Sequence, residues 1–277
     1  MWGVFPLYFR ALNHVPPLII LCHRILWSSL FLAAIITLRK EWRELGPVLK
    51  NGKHMLLLAA GAVLIALNWL IFIYAVSTNQ VLQSSLGYFI NPLLSIALGM
   101  LFLGERLRRL QWLAVAVASL AVINLALRSA ALPWIAVSLA FSFGFYGLVR
   151  KKVNINSLHG LLVETVILLP LALALLVWLP SPTVSGPTLG MLSLSGFITA
   201  TPLLFFGAAL RRLKLSTIGF LQYVGPSLQF LVAVLMLGEK LDPAKLTSFI
   251  LCWGAIGIYV VDSLIARQPQ ELADEPD

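Results

Sequence analysis

Apolar runs of membrane-spanning length follow one another down the whole chain, and they leave little choice of fold. A helix rises 1.5 Å per residue, so about 20 apolar residues cross the ~30 Å hydrocarbon core of a bilayer. Runs of that size are predicted at Val15–Leu38, Met55–Val76, Val81–Leu103, Leu110–Leu127 and Ser129–Val149. Four more follow at Ser157–Leu179, Leu189–Leu210, Leu215–Leu237 and Leu246–Ala266, and a shorter one, Trp2–Leu12, precedes them all. The alternating pattern of an outer-membrane barrel is absent. The expected fold class is therefore an all-α polytopic membrane protein with ten transmembrane helices, the first truncated. Composition agrees: of 277 residues, 60% are hydrophobic and 11% charged, against roughly 25% charged in soluble domains. A water-soluble enzyme or nucleic-acid binder is excluded.

The formal charge of +9 sits in short clusters between the runs. Arg39, Lys40, Arg43, Lys50, Lys53, Arg106, Arg108, Arg109, Arg150, Lys151, Lys152, Arg211, Arg212, Lys214 and Arg267 follow even-numbered predicted helices. Only Arg10, Arg128, Lys240 and Lys245 follow odd-numbered ones. The positive-inside rule makes the richer side cytoplasmic and puts both termini there. Cys22 and Cys252 lie within apolar runs and read as small buried hydrophobes, without support for a disulfide or metal site. The first apolar segment lacks the basic leader and cleavage site of a signal peptide.

The chain also repeats itself. Gly87–Leu107 aligns without gaps to Leu221–Leu241, with Pro92, Leu94, Leu103, Gly104, Glu105 and Leu107 matched by identical residues 134 positions later. Five helices per unit is an odd number, so the copies have opposite orientation, an arrangement found in carriers whose site lies between the halves. The expected units are residues 1–128, 129–266 and a disordered cytoplasmic tail, 267–277. Trp2-Gly3 followed by Arg10 matches Phe143-Gly144 followed by Lys151, yet the apolar residues 131–142 of the second copy have no counterpart before Trp2. The expectation is that the sequence starts late, through a misplaced start or a fragment.

Chemistry-bearing side chains at depth are few. His23 and Arg24 lie in the second predicted helix and Glu164 in the seventh, with His23 and Glu164 related by the 141-residue offset. Charged groups at such depth normally face a cavity or a partner. Two readings stand: a substrate-carboxylate or ion site at Arg24 with Glu164 as a proton-coupling carboxylate tuned by His23, or an Arg24–Glu164 bridge closing the interface. Snorkelling to one surface is a third. Pro92 and Pro226 each fall mid-helix and free the carbonyls of Tyr88 and Gln222, so kinks are expected there, flanked by Asn91, Gly225 and Tyr223. Asn68, Trp69 and Tyr146 complete the candidate cavity, each with a structural alternative as interhelical glue or interfacial anchor. Glu105 and Glu239 are expected to stabilise the N-terminus of the helix that follows each. No phosphate-binding G-x-x-x-x-G-K-[ST] loop and no H-E-x-x-H occur. No catalytic residue, metal ligand or cofactor is expected.

Four blocks carry a family resemblance: Cys22 to Ser28 (CHRILWS), Asn68 to Ile73 (NWLIFI), Ser84 to Leu93 (SSLGYFINPL) and Ala140 to Lys152 (AFSFGFYGLVRKK). They resemble the RarD branch of EamA-type permeases in the drug/metabolite transporter superfamily. The resemblance implies two inverted EamA repeats, a bacterial inner-membrane location, carrier activity and a start farther upstream. It supplies neither a substrate nor site residues. The expectation is a secondary transporter of a small metabolite or drug-like solute, working by alternating access without ATP. A helix-bundle channel or a non-transporting scaffold is the alternative. The expected partners are the lipid bilayer and the solute, with a homodimer as the protein assembly and no nucleic acid.

Overall fold

The computed structural model describes residues 2–78, 80–127, 134–179, 185–228 and 243–266. Among these residues every regular element is helical. A 3-10 turn at Trp2–Val4 leads into α1 (Phe5–Ala11), α2 (Pro17–Arg39), α3 (Trp42–Lys50), α4 (Gly52–Ser77), α5 (Val81–Leu103) and α6 (Arg109–Leu127). Then come α7 (Trp134–Val153), α8 (Ser157–Trp178), α9 (Gly186–Arg212), α10 (Leu215–Gln222) and α11 (Pro243–Ile265). Among the described residues five helices are long and apolar enough to cross a bilayer by length and composition: α2, α4, α8, α9 and the Leu246–Ile265 stretch of α11. The protein is an all-α polytopic membrane protein. The second half of the ninth predicted run, Glu239 and the tail lie outside the described residues.

Local chemistry sets the helix ends. Pro17 opens α2, where a missing amide costs nothing. Asn51 and Asn156 cap α4 and α8 by accepting from His54 N at 3.1 Å and Leu158 N at 3.0 Å. Gly104, at φ +65°, ends α5. One element was not expected: α3, a nine-residue helix in the basic loop that buries only Leu45 and Val48. Their spacing of three is a single helical turn, too short a pattern to stand out from a polar loop.

The most extensive helix contacts all join one half of the chain to the other: α5 with α7, α6 with α11, α4 with α7, α2 with α8 and α9, and α5 with α10. In hydrocarbon, close packing rather than expulsion of water drives such association, and small residues favour it. A Cβ on Gly196 would lie 2.4 Å from the Trp27 carbonyl carbon, so α2 and α9 cross in backbone contact. A Cβ on Gly219 would lie 2.8 Å from the Pro92 oxygen, where α5 meets α10. Along α6 the small residues Ala114, Ala118 and Ala121 are fully buried in a second core with Cys252 and Ala255 of α11. Arg108 Nε to Asp262 (2.8 Å) and Asn124 to Ser248 (2.9 Å) fasten the two ends of that pair.

The basic loops meet on one face. His159 contacts Glu41 at 3.1 Å, Lys151 donates to the Leu210 and Leu213 carbonyls, Glu105 reaches Leu215, and Arg108 reaches Asp262. Glu105 departs from expectation. Its carboxylate accepts from Leu215 N at 2.7 Å and Ser216 N at 2.9 Å, and so caps α10 in the opposite half rather than α6, the next helix. The inverted packing brings the N-terminus of α10 nearer to Glu105 than that of α6.

Gly196→Ala, which forces Trp27 backbone aside, is expected to cost about 1–3 kcal/mol, whereas Gly254→Ala, with nothing near its added carbon, should leave thermal unfolding in detergent unchanged. Glu105→Ala should lower stability by about 1 kcal/mol through two lost amide acceptors.

Candidate functional site

A cavity of about 50 Å3 lies where the halves meet, room for a few waters. Its polar lining comes from Arg24, Asn68, Asn91, Thr199 and Gln222, its walls from Trp2, Phe5, Trp69, Phe72, Tyr88 and Phe143, and further lining from Gly87, Gly225 and Pro226. Seven of the sequence candidates therefore come together: Arg24, Asn68, Trp69, Tyr88, Asn91, Gln222 and Pro226.

Each is placed by a local cause. The Gly196 crossing sets Arg24 beside α9, where Arg24 Nε donates to Thr199 Oγ1 at 3.0 Å. Its guanidinium carbon stands 4.9 Å and 4.6 Å from the centroids of Phe9 and Trp69, within cation–π range. Asn68 donates to the Leu139 carbonyl (3.0 Å) and Ser142 Oγ (2.9 Å), which binds α4 to α7. Asn91 Nδ2 donates to Gln222 Oε1 across the α5–α10 contact. The two prolines act differently. Pro226 removes the donor for the Gln222 carbonyl, and α10 ends there, with a turn at Tyr223 before helix resumes at 224–228. Pro92 is carried inside a continuous α5.

Other candidates lie elsewhere. His23 is half-buried, is not part of the cavity lining, and its Nδ1 has no hydrogen-bond partner among the described residues. Tyr223 is buried in the second core near Phe89, its hydroxyl likewise without a partner. Glu164, fully buried, faces Arg150 Nη1 at 3.5 Å and accepts from Tyr146 at 3.1 Å. Neither an Arg24–Glu164 bridge nor a His23–Glu164 pair forms. The reason is the inversion itself: His23 lies about 9 Å from the outer end of α2 and Glu164 about 10 Å from the basic-face end of α8. Symmetry partners in inverted copies sit on opposite sides of the midplane.

Three layers lie between the cavity and the basic face. Along α7 the order is Leu139 and Phe143 at the cavity, then Tyr146, then Arg150; along α9 it is Thr199 and Leu203, then Phe206, then Gly207. Trp2, Phe143 and Phe206 pack edge-on or tilted with centroids 5.0–5.9 Å apart, and Tyr146 stacks on Phe206 at 6.3 Å. Beneath that plug lies the Arg150–Glu164 pair. The Arg150 guanidinium fills a slot at Gly160, where a Cβ would come 1.8 Å from Nη1.

Sequence reasoning missed Arg150, which stands next to Lys151-Lys152 and reads as one more basic loop residue. It also missed Thr199 and the aromatic wall from Trp2, Phe5, Phe72 and Phe143, since aromatics are common throughout the chain. On the basic face, Glu41, Glu44 and His159 bring their potential ligand atoms within 4.8 Å of one another. That group is far from the cavity in sequence and layer, and Glu41 and His159 already satisfy each other.

The EamA-like transporter family matches residues 1–127 and 132–261. An uncharacterized transporter of Vibrio cholerae is 47% identical over 96% of this chain and 90% of the relative. Protein RarD of Escherichia coli K12 is 44% identical over 97% and 93%. The chloramphenicol-sensitive protein RarD of Pseudomonas aeruginosa is 34% identical over 92% and 88%. A solved crystal structure superposes with a TM-score of 0.71, at 18% identity, over 96% of this chain and 94% of the other, and so shares the fold. With a matched family domain in each half and relatives alike over nearly their full length, the chain belongs to the EamA-like transporter family, in its RarD branch.

Proposed function

We propose that the protein is a secondary carrier that moves a small solute by alternating access, its two halves (residues 1–128 and 129–266) rocking around the central cavity. One observation carries this reading. The cavity is lined by both halves, and between it and the basic face lies an aromatic layer that also draws on both halves, Trp2 on one side and Phe143 and Phe206 on the other. Parting those aromatics would admit solute from the basic face, and the cross-half contacts elsewhere provide the pivots. No chemistry on the solute is required in this reading, and among the described residues none of the lining forms a nucleophile–base pair. The basic face is cytoplasmic in this reading, with both termini there and the chain in the bacterial inner membrane.

Glu164 is the proton site in this proposal. Its carboxylate lies directly beneath the aromatic plug, paired with Arg150. Protonation would weaken that pair and loosen the layer that holds the cavity shut.

Counterflow in proteoliposomes, screened over a panel of labelled metabolites, tests the carrier. A transported solute should show saturable uptake that speeds up when unlabelled solute is inside, and Asn91→Ala should slow it by about tenfold. Non-saturating flux would indicate a channel. Glu164→Gln should abolish uptake driven by a pH gradient while retaining exchange at equal pH. A variant still driven by the gradient would end the coupling role.

A further inference from the structure

The geometry points to an organic monocarboxylate with an apolar or aromatic body as the cargo, its carboxylate met by Arg24. This rests on the carrier reading and extends it to the solute's chemistry. Arg24 is 2% exposed, and a guanidinium keeps its charge in proteins. Yet no carboxylate of the described residues lies within ion-pair distance of it, and its Nη1 has no hydrogen-bond partner there. Glu164, the acid at depth, is occupied by Arg150 and Tyr146. Thr199 takes Nε and the Phe9 and Trp69 rings take the faces, so the guanidinium is held in place while one edge is left over. A buried cation without a counter-charge is costly, and an anion entering the cavity supplies one. A planar guanidinium fits a carboxylate through paired hydrogen bonds.

The rest of the lining narrows the class. Among the described residues no acidic side chain lines the cavity, so an ammonium group would meet the guanidinium without a compensating charge, which disfavours zwitterions and amines. A single cation disfavours dianions. The aromatic wall takes an apolar body once the cavity, with room for a few waters in this state, widens to admit it. Also in the lining, Asn91 Oδ1 and Gln222 Nε2 have no partner among the described residues and offer one acceptor and one donor to a neutral polar group on the solute.

The test uses the full chain in nanodiscs at low ionic strength. Quenching of tryptophan fluorescence, with Trp2 and Trp69 in the wall, is titrated with phenylacetate, phenylacetamide, phenethylamine, phenylalanine and sodium chloride. The expected result is saturable quenching by phenylacetate, at least about tenfold weaker with the amide and with phenylalanine. Phenethylamine and chloride should give none. Arg24→Gln should lose the phenylacetate response, and Arg24→Lys should recover part of it. Should Arg24→Gln fail to fold, Thr199→Ala, which frees the guanidinium from its tether, should weaken phenylacetate alone, and the series on the unaltered chain stands by itself. Equal binding of amide or amine, an unchanged Arg24→Gln response, or chloride displacing phenylacetate at equal concentration would overturn the inference. Arg24-dependent binding without counterflow of labelled phenylacetate would sink the carrier reading and leave this one. Counterflow of another solute unaffected by Arg24→Gln would do the reverse.

Discussion

A polar group inside hydrocarbon has no water to turn to, and the structure is organised around that constraint. Each unmet donor, acceptor or charge at depth costs on the order of kilocalories, so the polar side chains of this chain are gathered between its halves. Asn68 spends its amide on α7, Asn91 meets Gln222 across the α5–α10 contact, and Glu164 finds Arg150 and Tyr146. The outer surface keeps residues such as Leu56, Leu101, Phe205 and Val177 for lipid. Other buried polar atoms also go unmet, but among the described residues Arg24 is the buried guanidinium without a carboxylate beside it, and it lines the cavity.

Packing makes this arrangement possible. With no hydrophobic drive between helices in lipid, the halves hold by contact, and the contact is closest where a side chain is absent, at Gly196 against Trp27 and Gly219 against Pro92. Those crossings fix the distance from Arg24 to Thr199 and from Asn91 to Gln222. The same inverted pairing lets Glu105 cap a helix of the other half, so the basic face is stitched across the repeat boundary.

The all-helical membrane class, the clustering of the basic loops and the break before Pro226 were legible in the amino-acid order because bilayer thickness, loop charge and the missing proline amide are local causes; at Pro92 the same local cause left α5 continuous. Pro226 broke its helix at the carbonyl that the chemistry names. The partners of the buried charges were not legible. The offset of 141 relates His23 to Glu164 in sequence, but inversion mirrors depth about the midplane, so equal position within the repeat means opposite sides of it. Arg150 was hidden by its basic neighbours, and only the glycine slot at Gly160 distinguishes it from them. The helix α3 escaped notice because a single buried turn leaves no periodic trace.

The central claim is that both halves enclose one cavity, shut toward the basic face by a plug that opens. In a background of Cys22→Ala and Cys252→Ala, Leu203→Cys places a thiol in the cavity wall, and a membrane-impermeant maleimide reports its access from either side of oriented vesicles. The account predicts labelling from both faces in the free protein. With Trp2→Cys and Phe206→Cys cross-linked across the plug, labelling should come only from the face opposite the basic loops. Labelling from both faces with the plug locked, or from neither face in any state, would contradict it.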